Sequence, residues 1–299
     1  MSEPVRPAAS AGGVIHDIGY RPYDGPRESN ARIAASLYLT ALRHAYGLGR
    51  SGRSKVLPVL LGVITLLPAV IMVGVVSIVG LSEQVMSYAS YTSALQVPIS
   101  IFVAAQAPVV FSRDLRSRSI VLYLARPLSA AVFTLTRWAA WFTAVLLFVL
   151  APHVVLLVGG LLNGLDVGDE LEMLGRSLPL TLLLALLLAS LSALVSSVAL
   201  RRGFAVVGTV LAVLVSNLVV QIVQGIAWSN DRDRVGEVAA LFSPWSLVNG
   251  LGDAMDAGNS VPTPPQGAGM VTLMVVVALA VVAVLVQLLV VRFRKAGRR

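Results

Sequence analysis

The sequence contains no cysteine and few charged residues. Only 13% of its 299 residues are Asp, Glu, Lys or Arg, whereas 57% are apolar. The lack of cysteine excludes a disulfide framework, a thiolate metal site and a cysteine nucleophile. The scarcity of charge excludes a soluble globular protein, because a surface in contact with water needs about a quarter of its residues to be charged. The three histidines, His16, His44 and His153, are scattered and predict no metal site.

The apolar residues form six long blocks, each of the length with which a helix crosses about 30 Å of hydrocarbon. We therefore predict an all-α membrane protein with six transmembrane helices. The predicted spans are residues 57–80, 85–111, 135–161, 177–200, 203–228 and 269–291. Residues 1–56 contain no apolar run that could serve as the core of a signal peptide, so we expect a cytoplasmic N terminus. An even number of spans then places the basic tail, residues 292–299, on the same side.

The distribution of charge supports this topology independently, since short cytoplasmic segments collect Lys and Arg. With both termini inside, 20 of the 23 basic residues are cytoplasmic and ten of the fifteen acidic residues are outside. The positive charge follows one membrane face, which favours anionic lipid or a cytoplasmic protein as partner and not nucleic acid. We expect the plasma membrane, and the ratio of 21 Arg to 2 Lys is typical of a bacterium with GC-rich codons.

The cytoplasmic N-terminal segment contains an amphipathic pattern at residues 29–49, which predicts a helix that lies in the membrane interface. Its apolar positions are Ile33, Leu37, Ala41, Ala45 and Leu48. The glycines that follow, Gly47, Gly49 and Gly52, approximate a phosphate-binding loop. Such a loop needs a preceding strand, whereas a helix is predicted here, so we interpret the glycines as a joint. No nucleotide-binding site is predicted in this chain.

Polar residues are rare within the predicted spans. No span contains Asp, Glu or Lys, which argues against an ion-coupled carrier. His153, next to Pro152, is interpreted as a hydrogen-bonding residue at a helix kink. Asn217, Gln221 and Gln224 are spaced i, i+4 and i+7 and therefore share one helix face. Such a face either holds helices together or lines a pathway, and we predict that it lines a substrate pathway.

The loop between the second and third spans has a charged first half, SRDLRSRS, followed by IVLYLARPLS. The apolar run 120–124 is costly in a solvated loop and favours docking against a protein surface or the membrane interface. The alternative is an ordinary loop whose positive charge only fixes topology. Pro127 ends the segment.

This layout resembles the permease of the second type of ATP-binding cassette exporter, in which the loop after the second span is a coupling helix that docks in a groove of a cytoplasmic ATPase. By resemblance, Asp114 stands where the family has Glu, Ser119 where it has Thr, and Arg137 where a Lys opens the third span. Arg118 departs from the family's Gly. The opening IHDIGYRPYDGPR also resembles a segment at the start of some such permeases. The resemblance implies a coupling helix at residues 112–126 and these ATPase contacts: Arg113, Asp114, Arg116, Arg118, Ser119, Leu122 and Pro127.

The resemblance also implies a transport subunit that is not itself an enzyme and holds no cofactor or metal. Two copies of a separate ATPase would bind ATP and Mg²⁺, and a second permease copy would complete a dimer. The exported substrate would be lipidic, drug-like or a natural product. The alternative function is a membrane scaffold or sensor subunit of such a complex, which performs mechanical or regulatory work without transport.

The acidic segment 229–268 contains Phe242 and Trp245 and is expected to lie on the outer side. In similar permeases this segment forms short helices that dip back into the outer leaflet. The alternative is an exposed loop.

Overall fold

The computed structural model describes residues 28–116, 129–199 and 201–296. This part of the chain is all-helical and contains no strand. Five helices are long and apolar enough to cross a membrane, and a bent pair of helices forms a sixth unit that meets the same test. The predicted all-α class and the presence of several membrane-length helices are therefore confirmed. The side of the membrane on which each terminus lies stays a prediction.

We number the six units as spans 1 to 6 in chain order. Span 5 contains a short π-helical stretch, Leu211–Val215, between two α-helical parts. The bounds of the spans are Arg53–Val79, the pair Tyr88–Ala94 and Gln96–Arg116, Ala130–Leu162, Val167–Val198, Arg202–Ser229 and Gly267–Ala296.

Span 3 and span 4 begin earlier than the apolar pattern predicts, because a polar residue caps each helix upstream of the apolar block. The Ser129 hydroxyl accepts the backbone N–H of Val132 at 3.3 Å and starts span 3. The Asp166 carboxylate accepts the N–H groups of Gly168 at 2.7 Å and Asp169 at 3.1 Å, so span 4 begins ten residues before the predicted boundary at 177. Side-chain capping satisfies backbone donors that have no partner within the helix.

Span 2 is not one continuous helix, because its two parts meet near Leu95 at an angle of 64°. Pro98 lies in the first turn after the break and has no N–H to donate to the carbonyl of Ala94, four residues earlier. A proline at this position explains why the helix stops and restarts. The first part of span 2 is therefore tilted away from the second.

The N-terminal helix, Asn30–Ala45, packs along span 3. Its Tyr38 hydroxyl donates to the hydroxyl of Thr143 at 2.8 Å, and the Tyr46 hydroxyl donates to the carbonyl of Ala144 at 2.7 Å. The joint to span 1 is a defined turn, in which Gly47 has φ +72° and a Cβ would lie 2.3 Å from the Ser54 carbonyl oxygen. The location of this helix in the membrane interface stays a prediction.

Span 3 and span 4 form the core of the bundle. The Trp141 indole donates to the Ser192 hydroxyl at 3.0 Å, and Trp138 donates to Ser190 at 3.1 Å. Span 1 crosses span 3 so closely that a Cβ at Gly159 would lie 2.2 Å from a methyl group of Val73. Small residues thus allow close helix packing, while span 1 and span 5 keep broad exposed apolar faces.

Between span 5 and span 6 the chain forms two short helices, Asp233–Ala240 and Pro244–Ala254, which we call the 233–254 hairpin. Ser243 caps the second helix and Pro244 occupies its first turn. The side chains of Trp245, Leu247, Val248 and Leu251 are buried. Of the two expectations for segment 229–268, the structure has the short helices and not the exposed loop.

Candidate functional site

Most of the predicted coupling segment lies outside the described residues, including Arg118, Ser119, Leu122 and Pro127. The opening IHDIGYRPYDGPR lies outside them as well. The backbone of Arg113, Asp114 and Arg116 forms the last turns of span 2. Contacts of these residues with an ATPase stay a prediction.

The end of span 2 and the start of span 3, which flank this segment, are in contact with each other. In span 3, Arg137 is buried, its Nη1 donates to the carbonyl of Val110 in span 2 at 3.0 Å, and its guanidinium lies 4.8 Å from the ring centre of Phe133. Phe293 of span 6 contacts both Phe111 and Phe133, with ring centres 6.5 and 6.0 Å apart. These contacts join the ends of span 2, span 3 and span 6 that lie next to the coupling segment.

Asn217 of span 5 is buried and joins three parts of the fold through its side-chain amide. Its Nδ2 donates to Gln96 Oε1 of span 2 at 2.9 Å. Its Oδ1 accepts the hydroxyls of Ser243 at 3.2 Å and Ser246 at 2.8 Å, both in the 233–254 hairpin. Every polar atom of this amide thus has a partner within the protein.

These bonds also show how far the hairpin enters the bundle. Asn217 lies 12 residues before Ser229, the last residue of span 5. At about 1.5 Å per residue, this places the amide about 18 Å along the helix from that end. The turn of the hairpin reaches this level, since Ser243 contacts Asn217. The hairpin is therefore inserted among the spans and does not lie on top of them.

The other two residues of the predicted polar face behave differently from each other. Gln224 is buried, and its Nε2 donates to the carbonyl of Gly236 in the hairpin at 3.4 Å. Gln221 is exposed and has no hydrogen-bond partner in the described part of the chain. With 3.6 residues per turn, Gln221 lies about 60° around the helix from Gln224, which is enough to divide the face. The geometry of Asn217 and Gln224 matches the alternative role, in which such residues hold helices together.

A buried polar cluster at the hairpin end of the bundle was missed by the sequence analysis. Glu170, in the first turn of span 4, is only 3% exposed and accepts a hydrogen bond from the Tyr88 hydroxyl. The Tyr88 ring stacks on His153 of span 3, with centres 5.5 Å apart. His153 Nδ1 lies 2.9 Å from the Val149 carbonyl, and its Nε2 lies 3.3 Å from the Thr92 hydroxyl.

The sequence contained a signal that could have found Glu170. Asp166 followed by Asp169 and Glu170 is typical of a capped helix N terminus with an acidic first turn. That pattern would have moved the start of span 4 upstream and placed Glu170 inside the helix bundle. In the described part of the chain, no group of three or more His, Cys, Asp or Glu residues is arranged to hold a metal ion.

An apolar crevice with about 220 Å³ of free space lies between span 4, span 5, span 6 and the turn of the hairpin. Its lining is aliphatic or aromatic apart from Ser243, whose hydroxyl is bonded to Asn217. A narrow crevice with about 10 Å³ of free space, enough for about one water molecule, lies between the first part of span 2, span 4 and the hairpin. There Ser93 donates to Asn249 Oδ1 at 2.7 Å, and Asn259 Nδ2 donates to the same oxygen at 3.1 Å.

No protein-family model and no curated protein matches this chain. The family resemblance noted from the coupling loop therefore remains a hypothesis about function. Most of the buried hydrogen bonds described above connect parts of the fold. They join the 233–254 hairpin to span 2 and span 5, and the first part of span 2 to span 3 and span 4.

Proposed function

We propose that this chain is the membrane-spanning permease subunit of an ATP-driven exporter, energised by a separate cassette ATPase that docks on the coupling segment 112–126. The main support is one continuous helix, Gln96–Arg116. Its first residue bonds to Asn217, next to the hairpin, and its last five residues, 112–116, belong to the coupling segment.

This helix has 21 residues and is therefore about 30 Å long, close to the hydrocarbon thickness of a bilayer. Ser100, one turn from its start, accepts the indole N–H of Trp245 in the hairpin at 3.1 Å. A movement imposed at Arg116 by ATP binding would be carried along this helix, which continues through Pro108, to the hairpin. In the predicted topology the hairpin is on the outer side, where it would act as the exit gate.

We propose an apolar or lipidic substrate. The buried span-5 amides are bonded to protein groups, and the crevice between span 4, span 5 and span 6 is apolar. A strongly polar substrate would need compensating hydrogen bonds along its route. A route within the described part of one chain offers few of them, so the pathway would run along a surface shared with a second copy.

The same observation favours one alternative, a scaffold or sensor subunit that undergoes ATP-driven movement without transport. Amides that hold the hairpin in place suit a scaffold or sensor subunit as well as they suit an exporter. The two functions differ in one measurable respect, since only an exporter moves a lipid or drug across a sealed vesicle when ATP is hydrolysed.

The coupling role is tested in vesicles that contain the chain together with a cassette ATPase that co-purifies with it. We expect Asp114→Ala, Arg116→Ala and Leu122→Trp to lower the ATPase activity that the permease supports, while the amounts of inserted permease stay equal. Asp169→Ala, at an exposed position at the opposite end of the bundle, is the matched control and should retain activity. Undiminished ATPase activity in all three coupling variants would exclude this docking site and, with it, the proposed mechanism.

A further inference from the structure

The first helix of the 233–254 hairpin buries a carboxylate that has no partner. Glu237 is only 1% exposed, and neither of its two carboxylate oxygens has a hydrogen bond in the described part of the chain. The salt bridges of the described residues are formed elsewhere. Because an ionised carboxylate is strongly destabilised when it leaves water without a compensating charge, Glu237 needs an explanation.

A second unsatisfied side chain lies beside this carboxylate. Thr263, in the segment between the hairpin and span 6, is also 1% exposed, and its hydroxyl has no hydrogen-bond partner among the described residues. It packs on Gly236, the residue before Glu237, so closely that a Cβ on that glycine would overlap the threonine side chain. Glycine at this position lets the segment and the helix approach each other next to Glu237.

A second carboxylate lies on the same face of the helix. Asp233 precedes Glu237 by four residues, so the two side chains project from one side. Gln266 Nε2 donates to Asp233 Oδ2 at 3.4 Å, which shows that the segment containing Thr263 runs across this face. Two acidic side chains therefore lie where residues 263–266 contact the hairpin.

We propose that Glu237, Asp233 and Thr263 contribute ligands to a calcium site between the hairpin and the segment that leads into span 6. All of these ligands are oxygens, which hard divalent cations prefer. The burial of Glu237 favours Ca²⁺ over Mg²⁺, because Mg²⁺ usually keeps several of its waters. Ca²⁺ accepts irregular sets of carboxylate and neutral oxygens, so two acidic ligands suffice.

An ion at this position would hold the first helix of the hairpin to the start of span 6. The predicted topology places the hairpin on the outer side, so the ion would come from the external medium. The proposal is independent of the proposed transport function, because it rests only on contacts within the described part of the chain.

Hydrogen exchange of the full chain in detergent, measured with Ca²⁺ and with the chelator EGTA, tests the site. With free Ca²⁺ at about 10 mM, about ten times the Kd of a weak calcium site, exchange in peptides from Asp233–Ala240 should slow about tenfold. Mg²⁺ at the same concentration should have much less effect. Equal exchange with Ca²⁺ and with EGTA, as expected if Glu237 is a buried neutral acid, would overturn the proposal, and so would equal protection by Mg²⁺.

Two variants and a control identify the ligands. Glu237→Gln keeps the size of the side chain and removes its charge, so Ca²⁺ should protect this variant less than about twofold. In EGTA its hairpin should exchange no faster than that of the wild type, which separates loss of the ion from misfolding. Thr263→Val should reduce the protection by Ca²⁺ in part.

Glu83→Gln is the matched control, since Glu83 is an exposed acid at the same end of the bundle. It should keep the full protection by Ca²⁺. Undiminished protection in Glu237→Gln, or an equal loss of protection in Glu83→Gln, would show that the ion binds elsewhere and would refute the site.

Discussion

The hydrogen bonds of Asn217 predict that this one side chain anchors the 233–254 hairpin. Asn217→Leu keeps the number and branching of the side-chain heavy atoms and removes all three bonds, those to Gln96, Ser243 and Ser246. The two serine hydroxyls and the Gln96 amide then remain in an apolar interior. We expect the hairpin to open locally more often while the six-helix bundle stays assembled.

The expected destabilisation of the hairpin follows from the number of hydrogen bonds that Asn217 makes to it. Hydrogen bonds between membrane helices contribute about 0.6 kcal/mol each and at most about 1.7. Two of the three lost bonds, those to Ser243 and Ser246, hold the hairpin, so their loss should destabilise it by about 1.2 kcal/mol and at most about 3.4. Since 1.4 kcal/mol corresponds to a factor of ten, backbone amides of the hairpin should exchange hydrogen about seven times faster in the variant.

Hydrogen exchange followed by mass spectrometry of peptides from Pro244–Ala254 measures this effect. Gln221→Leu is the matched control, because it makes the same chemical change one turn away on a residue without a described partner. It should leave exchange in the hairpin unchanged. Exchange in Asn217→Leu within about twofold of wild type, or an equal rise in the control, would show that the amide does not hold the hairpin.

Two further predictions concern topology and packing. A cysteine at Asp169 should react with an impermeant reagent in intact cells and one at Ser117 should not, because the basic residues assign these positions to opposite sides; labelling at Ser117 would reverse the orientation. Gly159→Ala should lower the free energy of unfolding by about 1–3 kcal/mol through overpacking, since its Cβ would lie 2.2 Å from a methyl group of Val73. Gly62→Ala faces open space and should be neutral, and equal stability of the two variants in denaturant titrations would contradict the packing.

The helical class and the membrane-length helices were predictable because they depend on local properties of the chain. A block of about 20 apolar residues in a bilayer must form a helix, since only a helix satisfies its backbone hydrogen bonds within the segment. The break in span 2 was also encoded locally, by Pro98. Helix starts were less predictable from hydropathy alone, as the early start of span 4 at Asp166 shows.

The role of each polar residue depended on the tertiary structure. Asn217, Gln221 and Gln224 look alike in sequence, yet two of them bond to the chain's interior and one faces outward. The difference arises because the hairpin packs against only one side of span 5. The spacing of polar residues shows which side of a helix is polar. It does not show which residues on that side have a hydrogen-bond partner in the folded chain.

The sequence by itself determined that the chain forms helices long and apolar enough to cross a membrane, roughly where they lie, and which of their ends carry basic charge. The tertiary structure alone decided that Glu170 is buried with Tyr88, that Trp245 packs against span 2, and that Gln221 remains uncovered. The physical reason is that hydropathy and charge act residue by residue along the chain. Burial and hydrogen bonding require a partner that is distant in sequence, and only the packed helices bring such partners together.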